Sequence, residues 1–189
     1  MLGIAGLPGA GKTTLALALV DGVGARLGPD LVAHVPMDGF HLADVQLDRR
    51  GLRGVKGAPE TFDVAGYATL LARLLRPDDG VVYAPGFERG LEQPIAAAVA
   101  VPPAVRLVVT EGNYLLLDGP DWAAVRASLA EVWRVDVDDD LRLRRLVARH
   151  VQFGKSPGAA HAWVARSDEA NARLLRSRSI EADLVVSLR

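Results

Sequence analysis

Residues 6–14 read GLPGAGKTT, and this stretch decides the fold. It satisfies the pattern G-x-x-x-x-G-K-[ST], with Gly6, Gly11, Lys12 and Thr13 at the fixed positions. An apolar run, residues 1–5, precedes it, and an apolar-rich stretch with helical character, residues 15–27, follows. A strand, a glycine-rich turn and a helix in that order let backbone N–H groups and the positive helix end converge on one anion. Lys12 is then placed to reach the β- and γ-phosphates of a nucleoside triphosphate, and the Thr13 hydroxyl to take a position on Mg²⁺. Pro8, Gly9 and Ala10 fill the interior of the loop, and Thr14 completes the predicted nucleotide-binding set in a structural role.

The rest of the composition narrows the use of that triphosphate. With 189 residues, 50% of them hydrophobic, the chain can bury one core and is short for two. A net charge of −1 gives no electrostatic footprint for nucleic acid or an anionic membrane, so neither is expected as a partner. The absence of cysteine excludes disulfides, thiol catalysis and zinc–thiolate sites. No apolar run has the length of a membrane span and no charged segment precedes an apolar one at the start, which predicts a cytoplasmic protein. These properties admit a homodimer. Because the first strand begins at Met1 with nothing before it to pair or cover it, an upstream segment is expected.

Apolar strand-like runs alternate with helical patterns, the signature of a mostly parallel sheet covered on both faces. The helix from Lys12 should stop near Gly28 and Pro29. A second strand, 31–37, delivers MDGFH at its carboxyl end, where open parallel sheets bind ligands. Asp38 is therefore the candidate to orient an acceptor hydroxyl and take its proton, and His41 a candidate substrate contact. Residues 43–60 carry no sustained periodicity and read as a long loop with Arg49, Arg50, Arg53 and Lys56. Asp63 is placed to cap a helix whose apolar positions Val64, Tyr67, Leu71, Leu74 and Leu75 follow the helical repeat, with Pro77 marking its end.

A short strand over 81–84 opens into YAPGFERG, which puts Tyr83, Phe87 and Arg89 near a strand end as candidate substrate contacts. AAAVAVPP at 96–103 reads only as an apolar connection. A buried-type strand over 106–110 runs into Glu111, a carboxylate positioned to share Mg²⁺ with Thr13. Residues 131–137 alternate as a strand, and the aspartates 138–140 read as a helix cap and first turn in preference to a metal site. In the following helix Arg142, Arg145 and Arg149 fall on one stripe, three guanidinia along one edge that could close over phosphates. A polar helix and a strand-like ADLVVSL at 182–188 finish the chain. The four histidines show no metal-ligand spacing.

Taken together, GLPGAGKTT, MDGFH, KGAPETFD, YAPGFERG, TEGNYLLL and VDVDDDLRLRRLVARH resemble the uridine kinase, pantothenate kinase and phosphoribulokinase superfamily of P-loop kinases. The nearest likeness is to a bacterial branch described as nucleoside/nucleotide kinase family or fructokinase-like proteins. The resemblance implies a three-layer α/β/α P-loop NTPase fold, a mostly parallel sheet with core order 2-3-1-4-5, and one domain over 1–189 with a helical lid over about 139–165. It implies ATP and Mg²⁺, and a small-molecule hydroxyl acceptor such as a nucleoside, a sugar or a pantothenate-like compound, activated by Asp38. By the same likeness substrate-contacting segments fall on 60–63 and 83–89, adding Glu60 and Asp63 to the candidates, and the lid arginines are Arg145 and Arg149. The uridine kinase pattern D-S-F-Y is here Asp38, Gly39, Phe40 and His41, a departure from a uridine acceptor. Two other readings stay open: an ATPase switch acting on a protein partner, and a nucleoside monophosphate kinase that uses the basic loop residues to hold its acceptor.

Overall fold

A computed structural model describes residues 1–76 and 80–188; the helix stop assigned to Pro77 lies outside the described residues. The chain runs through β1 (Leu2–Gly6), α1 (Lys12–Leu27), β2 (Val32–Pro36), α2 (Asp44–Arg50) and α3 (Val64–Leu74). Next come β3 (Val82–Glu88), β4 (Gln93–Val101), β5 (Leu107–Gly112), α4 (Pro120–Arg126) and β6 (Glu131–Val137). It closes with α5 (Asp139–Gln152), α6 (Pro157–Trp163), α7 (Glu169–Arg178) and β7 (Leu184–Leu188).

Five strands form one sheet in the order β2-β5-β1-β6-β7, and every neighbouring pair is parallel. Counted within this sheet alone, that is the expected order 2-3-1-4-5. Central strands buried on both faces need continuous apolar runs, which 1–6 and 107–110 supply. On one face, Leu15, Leu19, Val20 and Val23 of α1 pack on Ile4, Val32, Val109 and Val135. On the other, Tyr67 and Leu71 of α3, Trp122 and Val125 of α4 and Leu175 of α7 enclose Leu115, Leu116 and Val132. Three layers result, with both faces of the central strands removed from water and the edge strand β7 left largely exposed.

Two sequence expectations are corrected. The segment 96–103 is not a connection: β3 and β4 pair as an antiparallel hairpin outside the main sheet. Val82, Ala84 and Val101 seat that hairpin on Ala33, Val35 and Val108. The main-chain turn at 37–40 runs so close to the hairpin that a Cβ at Gly39 would collide with the Pro85 carbonyl. Residues 43–60 also hold more order than a loop, with α2 and short 3₁₀ turns at Arg53–Val55 and Pro59–Thr61. Seven residues are too few for helical periodicity to stand out.

The arginine stripe on α5 is corrected as well. Arg142 is fully buried rather than displayed at an edge. Its Nε donates to Asp139 Oδ1 at 2.9 Å, Nη1 to the Pro8 carbonyl at 3.3 Å and Nη2 to Glu169. The fit against the phosphate loop is tight: a Cβ at Gly9, where φ is +81°, would lie 2.7 Å from Leu146 Cγ and 2.9 Å from the Arg142 carbonyl. Asp138 caps α5 through the Leu141 N–H at 3.1 Å, as the acidic run predicted. Removing the guanidinium leaves Glu169 and the Pro8 carbonyl without their donor. Arg142→Ala should therefore cost on the order of 3 kcal/mol, the low end for a broken buried pair because Asp139 reaches solvent, measured by urea unfolding.

Candidate active site

A cavity of about 470 Å³ opens at the carboxyl ends of β1, β2 and β5, and Lys12, Thr13, Asp38, Glu111 and Arg149 all line it. Parallel strands put their ligand crevice there because loops and helix N-termini converge at that end. Gly6, Gly9 and Gly11 all adopt positive φ, which bends the loop tightly into the start of α1. Lys12 is drawn inward: Nζ donates to the Leu7 carbonyl at 3.1 Å and to Asn113 Oδ1 at 2.6 Å. Burial lowers its pKa to about 8, against the pull of Glu111 and Asp38 toward the charged form.

Thr13 and Glu111, ninety-eight positions apart, meet with the hydroxyl donating to Oε1 at 3.1 Å. Burial, with Asp38 nearby, pushes the Glu111 carboxyl up to about 7, and Lys12 and Thr13 pull it back only in part. A desolvated carboxylate beside a hydroxyl, both oxygen donors, suits a hard cation that keeps most of its shell as water and phosphate. No group of three or more metal-ligating side chains occurs among the described residues. A Mg²⁺ ion carried by a nucleotide needs no such group.

Asp38 stands at the start of the 3₁₀ turn Met37–Phe40 that follows β2. Arg89 Nη2 donates to its Oδ2 at 3.3 Å, and His41 Nε2 lies 4.0 Å from Oδ1. The His41 ring stacks on Phe62 at 4.0 Å and tilts against Phe87 at 5.1 Å. Burial drives its pKa down to about 4, the nearby Asp38 notwithstanding, so the imidazole is neutral at pH 7. Its Nδ1 is buried with no partner among the described residues. Arg149 reaches into the same cavity; burial and then Arg89 lower its pKa, opposed by Asp168, Asp38 and Glu111.

Several candidates fall elsewhere. Tyr83 is exposed on the hairpin, since Val82 and Ala84 take the inward positions and the register breaks between Ala84 and Gly86. Phe87 and Arg89, beyond that break, do line the cavity. Glu60 and Asp63 line a separate hollow with Arg50 and Trp122, and Asp63 is spent on capping α3 through the Gly66 N–H at 2.9 Å. Arg145 is exposed outside the cavity, with Nη1 beside Gly11 on the flank of the loop. Pro8 and Gly9 line the cavity, whereas Ala10 is packed into the core beneath the loop.

Other residues reach the site without having been expected. Asn113 holds Lys12 and lies only two positions after Glu111. His150, Phe153, Trp163, Asp168 and Asn171 form the wall contributed by α5, α6 and the start of α7, beside Lys155, which the sequence places at the tip of the lid. Between α6 and α7 the helix widens into a π-turn, Val164–Asp168, a feature that re-aims side chains. An aspartate and an asparagine three apart in a polar helix were the available signal.

No family model matches the chain. A Schizosaccharomyces pombe protein provisionally assigned as a uridine kinase is 30% identical over 98% of this chain and 82% of its own length. The crystal structure of a Silicibacter protein provisionally assigned as a fructose transport system kinase superposes with a TM-score of 0.88 at 38% identity, covering 98% of this chain and 88% of that one. The Saccharomyces cerevisiae protein YFH7, described as a circularly permuted kinase with a P-loop, gives a TM-score of 0.83 at 18% identity over 100% of this chain and 92% of that one, a likeness of fold.

The neutral His41 has a signature in stability. Between pH 6.5 and about 4 the unfolded imidazole binds a proton that the folded one refuses, so stability falls as pH is lowered through that window. His34, also lowered by burial, acts in the same direction. The wild-type protein should therefore lose up to about 3 kcal/mol more than His41→Gln between pH 7 and 4, measured by urea unfolding at each pH.

Proposed function

This chain belongs to the P-loop kinases of the uridine kinase, pantothenate kinase and phosphoribulokinase superfamily, and from that premise we propose that it moves the γ-phosphate of ATP to a hydroxyl group of a small molecule. The observation that carries this reading is the placement of Asp38 in one cavity with Lys12, the Thr13–Glu111 pair and Arg149. Phosphoryl transfer asks the protein mostly for positioning and charge stabilisation, and those groups are what it requires.

The loop amides and Lys12 hold the triphosphate. Asp38 accepts a hydrogen bond from the acceptor hydroxyl, aims the oxygen at the γ-phosphorus and takes the proton as the new P–O bond forms. The bond to the β-phosphate oxygen breaks and ADP leaves with that electron pair. Arg149 stabilises negative charge spread over the transferring group. Thr13 and Glu111 are the residues that would hold Mg²⁺, which supplies charge neutralisation on the phosphate oxygens. Arg89, which donates to Asp38, orients the carboxylate. The 139–165 region, α5 and α6, acts as the lid; Arg142 and Leu146 anchor its root against Gly9, and Arg145 supplies charge at the flank of the loop.

The reading of the basic loop as a seat for a phosphorylated acceptor loses support. Arg53 Nη2 is 2.7 Å from Asp44, and Lys56 Nζ is 2.7 Å from the same carboxylate. Arg49 and Arg50 do not line the cavity. Arg53 and Lys56 do line the cavity, but both are engaged by Asp44 of the same loop.

The deciding assay incubates purified protein with Mg-ATP and nucleosides, sugars, pantothenate and nucleoside monophosphates, read by mass spectrometry with Lys12→Ala alongside. A phosphorylated product that Lys12→Ala fails to make is the expected outcome; ATP loss without product, stimulated by a protein partner, would replace the kinase reading with a switch. Asp38→Asn should keep ATP binding and slow transfer by about 10²-fold or more, and turnover near the wild-type rate in that variant would remove Asp38 from the mechanism.

A further inference from the structure

On the wall of the cavity formed by the last helices, His150 Nε2 and Asp168 Oδ2 are hydrogen-bonded at 2.8 Å, and both residues line the cavity. Asp168 and Asn171 are each 8% exposed, positions at which polar side chains are normally satisfied. Asp168 does not cap α7, although it stands at the cap position, and its Oδ1 has no hydrogen-bond partner among the described residues. Asn171 donates through Nδ2 to the Gly57 carbonyl at 3.2 Å, which also accepts from the Tyr114 hydroxyl, so the wall is tied to the 53–57 turn.

An ionised carboxylate only accepts hydrogen bonds, so what completes Asp168 is a donor. Arg149 lies within electrostatic reach of Asp168 but forms no ion pair with it in this structure. Around the rest of the acceptor half the cations are already matched. Arg89 meets Asp38 at 3.3 Å, Lys56 meets Asp44 at 2.7 Å, and Lys155 meets Glu92 at 3.8 Å. An anionic group entering here would face Asp168 and Glu92, and among the described residues the lining cations outside an ion pair, Lys12 and Arg149, are the ones assigned above to the nucleotide phosphates. A neutral hydroxyl can donate to a carboxylate without breaking those pairs, while Phe87 and Phe153 offer apolar surface to carbon-bound hydrogens.

We propose that Asp168, oriented by His150, is a specificity-determining residue that binds a second hydroxyl of the acceptor, and that the acceptor is an uncharged polyhydroxylated molecule, a sugar or polyol, held at one end by Asp38 and at the other by Asp168. The substrate class rests on the kinase reading above; the hydroxyl-binding role of Asp168 can be read without turnover.

The test measures binding first. Wild-type protein, Asp168→Asn and Asp168→Ala, saturated with Mg²⁺ and a non-hydrolysable ATP analogue, are titrated with glycerol, D-ribose, D-fructose and D-mannitol, with their singly deoxygenated analogues, and with ribose 5-phosphate, fructose 6-phosphate and D-glycerate. The wild type should bind an uncharged polyol more tightly than the phosphorylated or carboxylated compounds. Asp168→Asn should weaken that binding by about tenfold or more, with the nucleotide Kd and the melting temperature unchanged. One deoxy analogue should lose the same factor against the wild type and none against Asp168→Asn, because both changes remove one interaction.

Tighter binding of the anionic compounds, no uncharged polyol bound by the wild type, or an acceptor Kd indifferent to Asp168 would each overturn the proposal. So would an Asp168→Asn variant whose nucleotide affinity falls while its acceptor Kd holds, which would make the carboxylate a counter-ion for Arg149. The same samples are then given ATP. Asp168-dependent polyol binding without any phosphorylated product defeats the kinase reading and leaves the hydroxyl site standing; transfer to an acceptor that ignores Asp168 does the reverse.

Discussion

A lysine ammonium held almost out of solvent at the head of α1 sets the terms for the rest of the site. Burial of a cation is costly unless charge or hydrogen bonds replace the lost water. Lys12 finds the Leu7 carbonyl, the Asn113 amide oxygen and the field of Glu111 and Asp38. Glu111 carries the mirror-image cost, a carboxylate pushed toward its neutral form by the same burial. A triphosphate with its cation would relieve both, since it brings negative charge to the lysine and positive charge to the carboxylate. The arrangement therefore suits that ligand.

Packing turns this local arrangement into a rigid one. The root of α5 is clamped to the phosphate loop by the buried Arg142, and the clamp works only because Gly9 has no Cβ to hold the helix away. On the opposite side, Gly39 lets the turn that carries Asp38 lie against the hairpin at Pro85. Two close backbone approaches thus fix the phosphate-loop end and the Asp38 end of one cavity. The hairpin brings Phe87 and Arg89, and α5 to α7 bring Arg149, His150 and Asp168, so three segments distant in sequence face a common space.

Charges around the Asp38 end of the cavity show a second economy. Asp44, outside the cavity, pairs with both Arg53 and Lys56, Asp48 adds a second carboxylate to Arg53, and Lys56 also donates to the Glu92 carbonyl. Lys56, one of the basic residues that look in sequence like an anion seat, ties the loop to the hairpin turn, and Arg53 pairs within the loop. In a partly desolvated cavity a matched pair stays put, whereas a carboxylate with one oxygen unpaired, such as Asp168 beside His150, has an acceptor left for a donor.

The sequence by itself determined what depends on neighbours along the chain. Four fixed residues dictated the phosphate loop, apolar runs of the right length dictated the strands of the sheet, and the acidic residues at 63 and 138 dictated their helix caps. Even Glu111 was legible, because a charged residue ending a buried run must be paired or put to use. Only the tertiary structure decided which side chains share a cavity. The β3–β4 pairing and its broken register sent Tyr83 outward and Phe87 inward, and capping consumed Asp63. Arg142, Arg145 and Arg149 share a stripe at helical spacing, yet one is a buried clamp, one flanks the loop and one lines the site. Asp168 entered the site through a π-turn that no local pattern announces. Hydrogen bonding along a strand or helix is written in local sequence, whereas the partner of a side chain is set by the surface it is packed against, which the chain acquires only when distant segments meet.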